Sequence, residues 1–168
     1  MKPAAYWIDH LNLQPHPEGG FFKETYRAAG MISAAALAPD FDGARNFSTS
    51  IYFLLRTQDR SLCHRIKSEE LWHFHAGSML NIYVLQKKEI QCFKLGHNLE
   101  QGESLQVVIP AGSWFGAAVK QPDSYVLAGC TVAPGFDFHD FELAERSALL
   151  RTFPQHQCII EALTLPAT

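Results

Sequence analysis

The chain has 168 residues, of which 47% are hydrophobic and 18% charged, with a formal net charge of −3. That length suits one domain able to bury a single sizeable core, and the balance excludes a disordered chain. No cluster of Lys or Arg offers the cationic surface that duplex nucleic acid requires, and no run of about 18 apolar residues offers a membrane span.

The first residues, MKPAAYWIDHLNLQPH, meet Asp9 and His10 before any long apolar run, so they do not read as a secretory leader. Residues 4–13 fit one short helix with Tyr6, Trp7, Leu11 and Leu13 on an apolar side. Pro15, Pro17, Gly19 and Gly20 then end it in a turn. FFKETYR (21–27) reads as a strand with Phe22, Glu24 and Tyr26 on one face and Phe21, Lys23, Thr25 and Arg27 on the other. Residues 28–45 are small and rich in Gly, Pro and Asp, and read as a loop. From Asn46 short runs rich in β-branched and aromatic residues follow at 47–56, 61–67, 70–76, 79–86, 89–95, 105–110, 113–119 and 124–133. Many short strands at regular spacing predict an all-β sandwich or small barrel. DFELAERSALLRTF (140–153) has helical spacing and no interior Gly or Pro, with Asp140 as a candidate N-cap. No linker or repeat interrupts the chain. The reading is one domain over 1–168, with the barrel at about 20–135 and the C-terminal helix at about 140–153.

The four cysteines, Cys63, Cys92, Cys130 and Cys158, form no C-x-x-C pair, so no zinc ribbon is indicated. Reduced thiols of a cytoplasmic protein are the reading, with Cys63 and Cys130 in strand runs as small core residues. The chemistry concentrates in HRIKSEELWHFHAG, His64 to Gly77, where three histidines and two glutamates share fourteen positions. Strand periodicity divides them. Lys67–Glu69 turns the chain, so His64 and Ile66 on one strand and Glu70, Trp72 and Phe74 on the next face one interior. His73 and His75 point away, toward solvent or a subunit interface.

These residues resemble the cupin superfamily. Its first motif, G-x5-H-x-H-x(3,4)-E-x6-G, is matched by His64, Glu70 and Gly77, with Ile66 at the second His. Its second motif, G-x(5–7)-P-x-G-xx-H-xxx-N, is matched by Gly102, Pro110 and Gly112, with Phe115 at the His and Val119 at the Asn. HPEGGFFKETYR, STSIYFLL, PAGSWFGA and GCTVAPGFDFHDFELA further resemble a small family of single-domain cupins that carries a predicted sugar-epimerase label. The resemblance implies a double-stranded β-helix, or jelly roll, with a short N-terminal and a C-terminal helix, and a homodimer.

A cupin metal takes three His and one Glu. Two of those positions here are Ile66 and Phe115, so no metal or other cofactor is expected, beyond a weak divalent site at His64 and Glu70. The expected site is a pocket for a small molecule, a sugar or nucleotide-sugar, with neither nucleic acid nor membrane as partner. Ile66, Trp72, Phe74 and Phe115 form its apolar wall, and Glu18, Glu24, Tyr26, Tyr52, His64 and Glu70 its polar groups. By analogy with the superfamily's metal-free sugar epimerases, His64 supported by Glu70 is the base and Tyr26 or Tyr52 the acid. The alternatives are a cupin that binds without turnover and a metal-dependent cupin enzyme. Pro17–Gly20 reads equally as a site-forming loop or as a solvated turn. Trp72 and Trp114 read as core, and Phe136, Phe138 and Phe141 as packing for the C-terminal helix.

Overall fold

The computed structural model describes residues 2–166. In chain order the elements are α1 (Ala4–Leu11), β1 (Gln14–Pro15), β2 (Phe21–Arg27), β3 (Met31–Ile32), β4 (Arg45–Asn46), β5 (Thr49–Arg56), β6 (Ser61–Arg65) and β7 (Glu69–Gly77). They continue with β8 (Leu80–Leu85), β9 (Ile90–Leu95), β10 (Gln106–Ile109), β11 (Phe115–Val119), β12 (Tyr125–Ala133), β13 (Glu142–Leu143), α2 (Arg146–Thr152) and α3 (Gln157–Ala162). One sheet has the order β1-β2-β5-β12-β7-β10 and the other β13-β6-β11-β8-β9, while β3 and β4 pair separately. No helix among the described residues is long and apolar enough to cross a membrane.

The two large sheets pack face to face as a jelly roll, and alternation along each strand explains how. Phe53 and Leu55 of β5, Trp72 of β7, Ile82 and Val84 of β8 and Phe115 of β11 point inward to one core. Phe53, Trp72 and Phe115 are each about 1% exposed, which stabilises the fold by roughly 1.5–3 kcal/mol per side chain. The outward-facing residues are covered too. Leu54, Tyr125 and Leu127 lie under Trp7, Ile8 and Leu11 of α1, and Cys63 and Ala118 lie under Leu149, Phe153 and Ile160 of the C-terminal helices. That double cover is why β12, YVLAGCTVA, is apolar at every position but Thr131 instead of alternating. Tyr125 pins α1 in place, its hydroxyl accepting from the Trp7 indole at 2.7 Å and donating to the Lys2 carbonyl at 2.7 Å.

The predicted strands from 47 to 133 are all present. The C-terminal helix is not where the spacing put it. It starts at Arg146 and is preceded by a 3-10 turn at Phe138–Asp140 and by β13, which pairs with β6 through Glu142–Arg65 and Leu143–His64. Asp140 does not cap a helix; it is buried against Arg45. The open edge of β6 and a buried guanidinium together hold residues that would otherwise begin a helix. The barrel is not filled evenly. Leu80, Ile82 and Leu95, all fully buried, close it on the β8–β9 side. Between β2, β5, β6, β7 and β12 it is hollow.

Candidate functional site

The hollow is a cavity of about 400 Å³, within the usual range for a small-molecule site. Its floor is aromatic: Phe22 of β2, Phe53 of β5 and Trp72 of β7. Its mouth is roofed by Phe136, Phe138 and Phe141, whose rings meet edge-on with centroids 5.0–6.3 Å apart. These three do not pack the C-terminal helix, as the sequence suggested; they line the cavity. The only signal for that role was three phenylalanines spaced through a Gly/Asp-rich segment after the last long strand.

The polar centre is built from the turn at Pro17–Gly20. Gly19 (φ 107°) and Gly20 (φ 72°) supply the positive φ that closes it. Instead of leaving Glu18 in solvent, the turn drives it inward, where it is 6% exposed. The Glu18 carbonyl accepts the Leu62 N–H at 2.8 Å, and its carboxylate Oε1 accepts the Ser61 hydroxyl at 2.7 Å. The start of β6 therefore grips Glu18 at both ends. Gly19→Ala is expected to cost about 2 kcal/mol or more, because a Cβ there would lie 2.1 Å from the Arg60 carbonyl oxygen. The shift of its urea midpoint measures this, and a midpoint equal to wild type would contradict it.

His64 projects from β6 toward the same carboxyl. Its Nδ1 lies 2.7 Å from the Leu62 carbonyl. A carbonyl can only accept, so Nδ1 carries a hydrogen and, in the neutral ring, Nε2 carries the lone pair. Nε2 is 3.2 Å from Glu18 Oε2. Burial holds His64 below its ordinary pKa and Glu18 above its own. Both directions favour an uncharged pair in which the Glu18 carboxylic acid donates to His64 Nε2, so one proton is shared between them. Phe115 and Phe141 hold the ring by its faces, at centroid distances of 4.2 and 5.3 Å. His16, which the sequence reading missed, adds a second neutral imidazole. Its Nδ1 accepts the Glu18 N–H at 3.2 Å, and burial lowers its pKa.

Glu70 faces the cavity from β7, as strand periodicity predicted. No direct bond joins it to His64; Glu18 occupies that position. Its pKa is pushed up to about 7 by burial. The Cys130 thiol and the Trp72 indole N–H lie beside it and favour its charged form. The indole does not reach hydrogen-bond geometry, however. Trp72 Nε1 is the one buried side-chain nitrogen or oxygen among the described residues left without a partner.

Of the other residues singled out in the sequence, Ile66, Trp72 and Glu24 line the cavity. Four do not. Phe115 sits behind His64 in the core. Phe74 points inward but further along β7, against His97. Tyr52 alternates outward on β5 and packs under α1. Tyr26 is 55% exposed because β2 bulges at Thr25. Glu24 pairs with Ile51, but Tyr26 then pairs with Ser50 and Arg27 with Thr49, so the extra residue reverses the alternation. Arg27 faces the cavity in place of Tyr26. A second bulge, between Phe74 and Ala76 of β7, leaves His75 unpaired against β12.

A jelly roll with an enclosed acid–histidine cavity is a cupin architecture. Residues 5–144 match the family model described as "Cupin superfamily (DUF985)", and the chain belongs to that family. A curated relative is the uncharacterized protein YML079W of Saccharomyces cerevisiae, 32% identical over 144 residues, covering 79% of this chain and 71% of that protein. Among solved structures, protein SO0799 from Shewanella oneidensis is 41% identical with a TM-score of 0.88, over 99% of this chain and 100% of that one. A hypothetical protein from Leishmania major is 32% identical with a TM-score of 0.89, over 98% and 100%.

The superfamily's metal cage does not fit these residues. Two of its four positions, Ile66 and Phe115, have no lone pair, and His64 Nε2 is engaged by Glu18. No group of three or more His, Cys, Asp or Glu is disposed to hold an ion among the described residues.

Proposed function

We propose that this cupin binds a small carbonyl compound and moves protons on it without a resident metal, with the Glu18–His64 pair as base and Glu70 as acid. The observation that carries the reading is an aromatic-walled cavity around a buried carboxyl–imidazole contact of 3.2 Å, with a second buried carboxyl beside it whose pKa burial raises to about 7. Glu18 accepts a proton from the carbon next to the carbonyl as its own proton passes to His64 Nε2. The C–H electron pair moves into the new carbon–carbon double bond, and the carbonyl oxygen takes the proton of Glu70. The products are an enol (an enediol where that carbon carries a hydroxyl), an imidazolium and the Glu70 carboxylate, so charge balances, and the reverse steps return the proton to carbon. Ser61 and the Leu62 carbonyl position the pair. With Tyr26 and Tyr52 outside the cavity, Glu70 replaces tyrosine as the proton donor in this scheme.

The test follows deuterium uptake from solvent into a panel of keto-sugars, free, amino-substituted and nucleotide-linked. Exchange should occur with at least one of them and fall about a hundredfold in Glu18→Gln and in His64→Ala. Undiminished exchange in both variants would overturn the assignment. Binding without exchange across the panel would assign a pocket without turnover, and a stoichiometric transition metal in purified protein would defeat the metal-free mechanism.

A further inference from the structure

The charged groups around the cavity are lopsided, and this bears on what it can hold. Four carboxyl side chains face it: Glu18, Glu24, Glu70 and Asp137. Among the described residues the one permanent cation on its wall is Arg27, and that guanidinium is already engaged. Its Nε and Nη2 donate to the two oxygens of Glu24 at 3.0 and 2.6 Å. Its Nη1 donates to Asn46 Oδ1 at 2.9 Å and to the Phe136 carbonyl at 3.1 Å. Four of the five N–H groups of an arginine are thereby used. The nearby cations Arg45 and Lys67 are turned away toward Asp140 and do not line the cavity. His16 and His64 are held neutral by burial.

The remaining features favour the opposite kind of guest. Phe22, Phe53, Trp72, Phe136, Phe138 and Phe141 present ring surface to the cavity, and ring faces attract cations and stack on planar groups. The Trp72 N–H, on a side chain 1% exposed, lacks an acceptor. Two residues away on the same face of β7 stands the Glu70 carboxyl. A donor and a carboxyl side by side match a ligand edge with an acceptor atom next to an N–H group.

Resting on the small-molecule reading above, we infer that the ligand is a ring-bearing compound with a nitrogen that donates to Glu70, an acceptor for Trp72, and no phosphate or carboxylate group. A nucleotide diphosphate sugar is thereby excluded. Among the described residues no cation on the wall is free to neutralise its phosphates, and they would meet Glu24 and Asp137 at the mouth.

Three probes share one ring and differ in charge: benzylamine, benzyl alcohol and benzoate. Each is titrated at pH 8 against ¹⁵N-labelled protein. The readout is the indole N–H signal of Trp72, assigned with Trp72→Phe. Benzylamine should bind at least tenfold more tightly than benzoate and move that signal. Glu70→Gln should abolish its advantage over benzyl alcohol while leaving benzyl alcohol bound. Between pH 6 and pH 8 benzylamine should gain affinity as Glu70 ionises beside Glu18, His64 and Cys130. Benzoate binding as tightly as benzylamine, with the Trp72 signal moving, would overturn this inference and leave the pocket a small-molecule site. If no probe moves the Trp72 signal, the small-molecule reading falls and this inference with it.

Discussion

Arg45→Ala should lower the free energy of unfolding by about 3 kcal/mol. The guanidinium grips Asp140 through Nε at 2.6 Å and Nη2 at 2.7 Å, and Nη2 also reaches Asp42 at 2.6 Å. The Arg45 and Asp140 side chains are only 5% and 3% exposed. Removing one partner leaves the other desolvated, with Lys67 at 3.2 Å as its remaining ion pair. The pair lies outside the apolar clusters of the fold, which places the cost at the low end of the range for buried pairs. For a domain of this size the melting temperature should fall by about 6–12 °C. A double variant, Arg45→Ala with Asp140→Ala, should recover part of the loss because no orphan charge remains. A loss below about 1 kcal/mol would class the pair with exposed salt bridges. Asp140 also anchors the segment carrying Phe136, Phe138 and Phe141, so the single variant should weaken any pocket ligand as well.

Glu70→Gln should leave stability nearly unchanged at pH 4 and raise it by about 3 kcal/mol at pH 8. The folded chain lifts the Glu70 pKa from 4.5 to about 7. Between those values the folded state binds more protons than the unfolded state, so this residue's contribution falls as pH rises through the window and levels off above it. At about 1.36 kcal/mol per tenfold change, the full loss is about 3 kcal/mol. Glutamine resembles the neutral acid and has no such titration. His16 and His64 act in the opposite sense: held below their ordinary pKa, they add stability as pH rises toward 6.5. The difference between variant and wild type isolates Glu70, and parallel stability curves from pH 5 to pH 8 would contradict the assignment. A carboxyl kept at such a cost to stability is the pattern expected of a functional acid.

The legible part of the site is the part that strand alternation governs. His64, Ile66, Glu70 and Trp72 were placed on one inner face by period alone, and they line the cavity. Alternation failed where a bulge intervened. A single extra residue at Thr25 exchanged Tyr26 for Arg27, and FFKETYR carries no local mark of it, because bulging there depends on register with β5. Glu18 was divided between solvent and site. Its burial depends on Ser61 and Leu62, residues 43 positions or more along the chain, which no local pattern relates to a proline-glycine turn. The partner of Asp140 lies 95 positions away, and the helix cap that local spacing suggested lost to it.

The sequence by itself determined the all-β class, the positions of the strands from β5 to β12, the inner and outer faces of β6 and of the first half of β7, and two non-ligating residues, Ile66 and Phe115, where metal-binding cupins place histidine. These follow from side-chain volume, polarity and a two-residue period, all local properties of the chain. The tertiary structure decided that Glu18, not Glu70, holds His64, that Phe136, Phe138 and Phe141 roof the cavity, and that its wall, over the described residues, is acidic with its one arginine already paired. Those outcomes depend on which distant groups share one desolvated space, and desolvation sets both the protonation of Glu18, His64 and Glu70 and the kind of ligand they can accept.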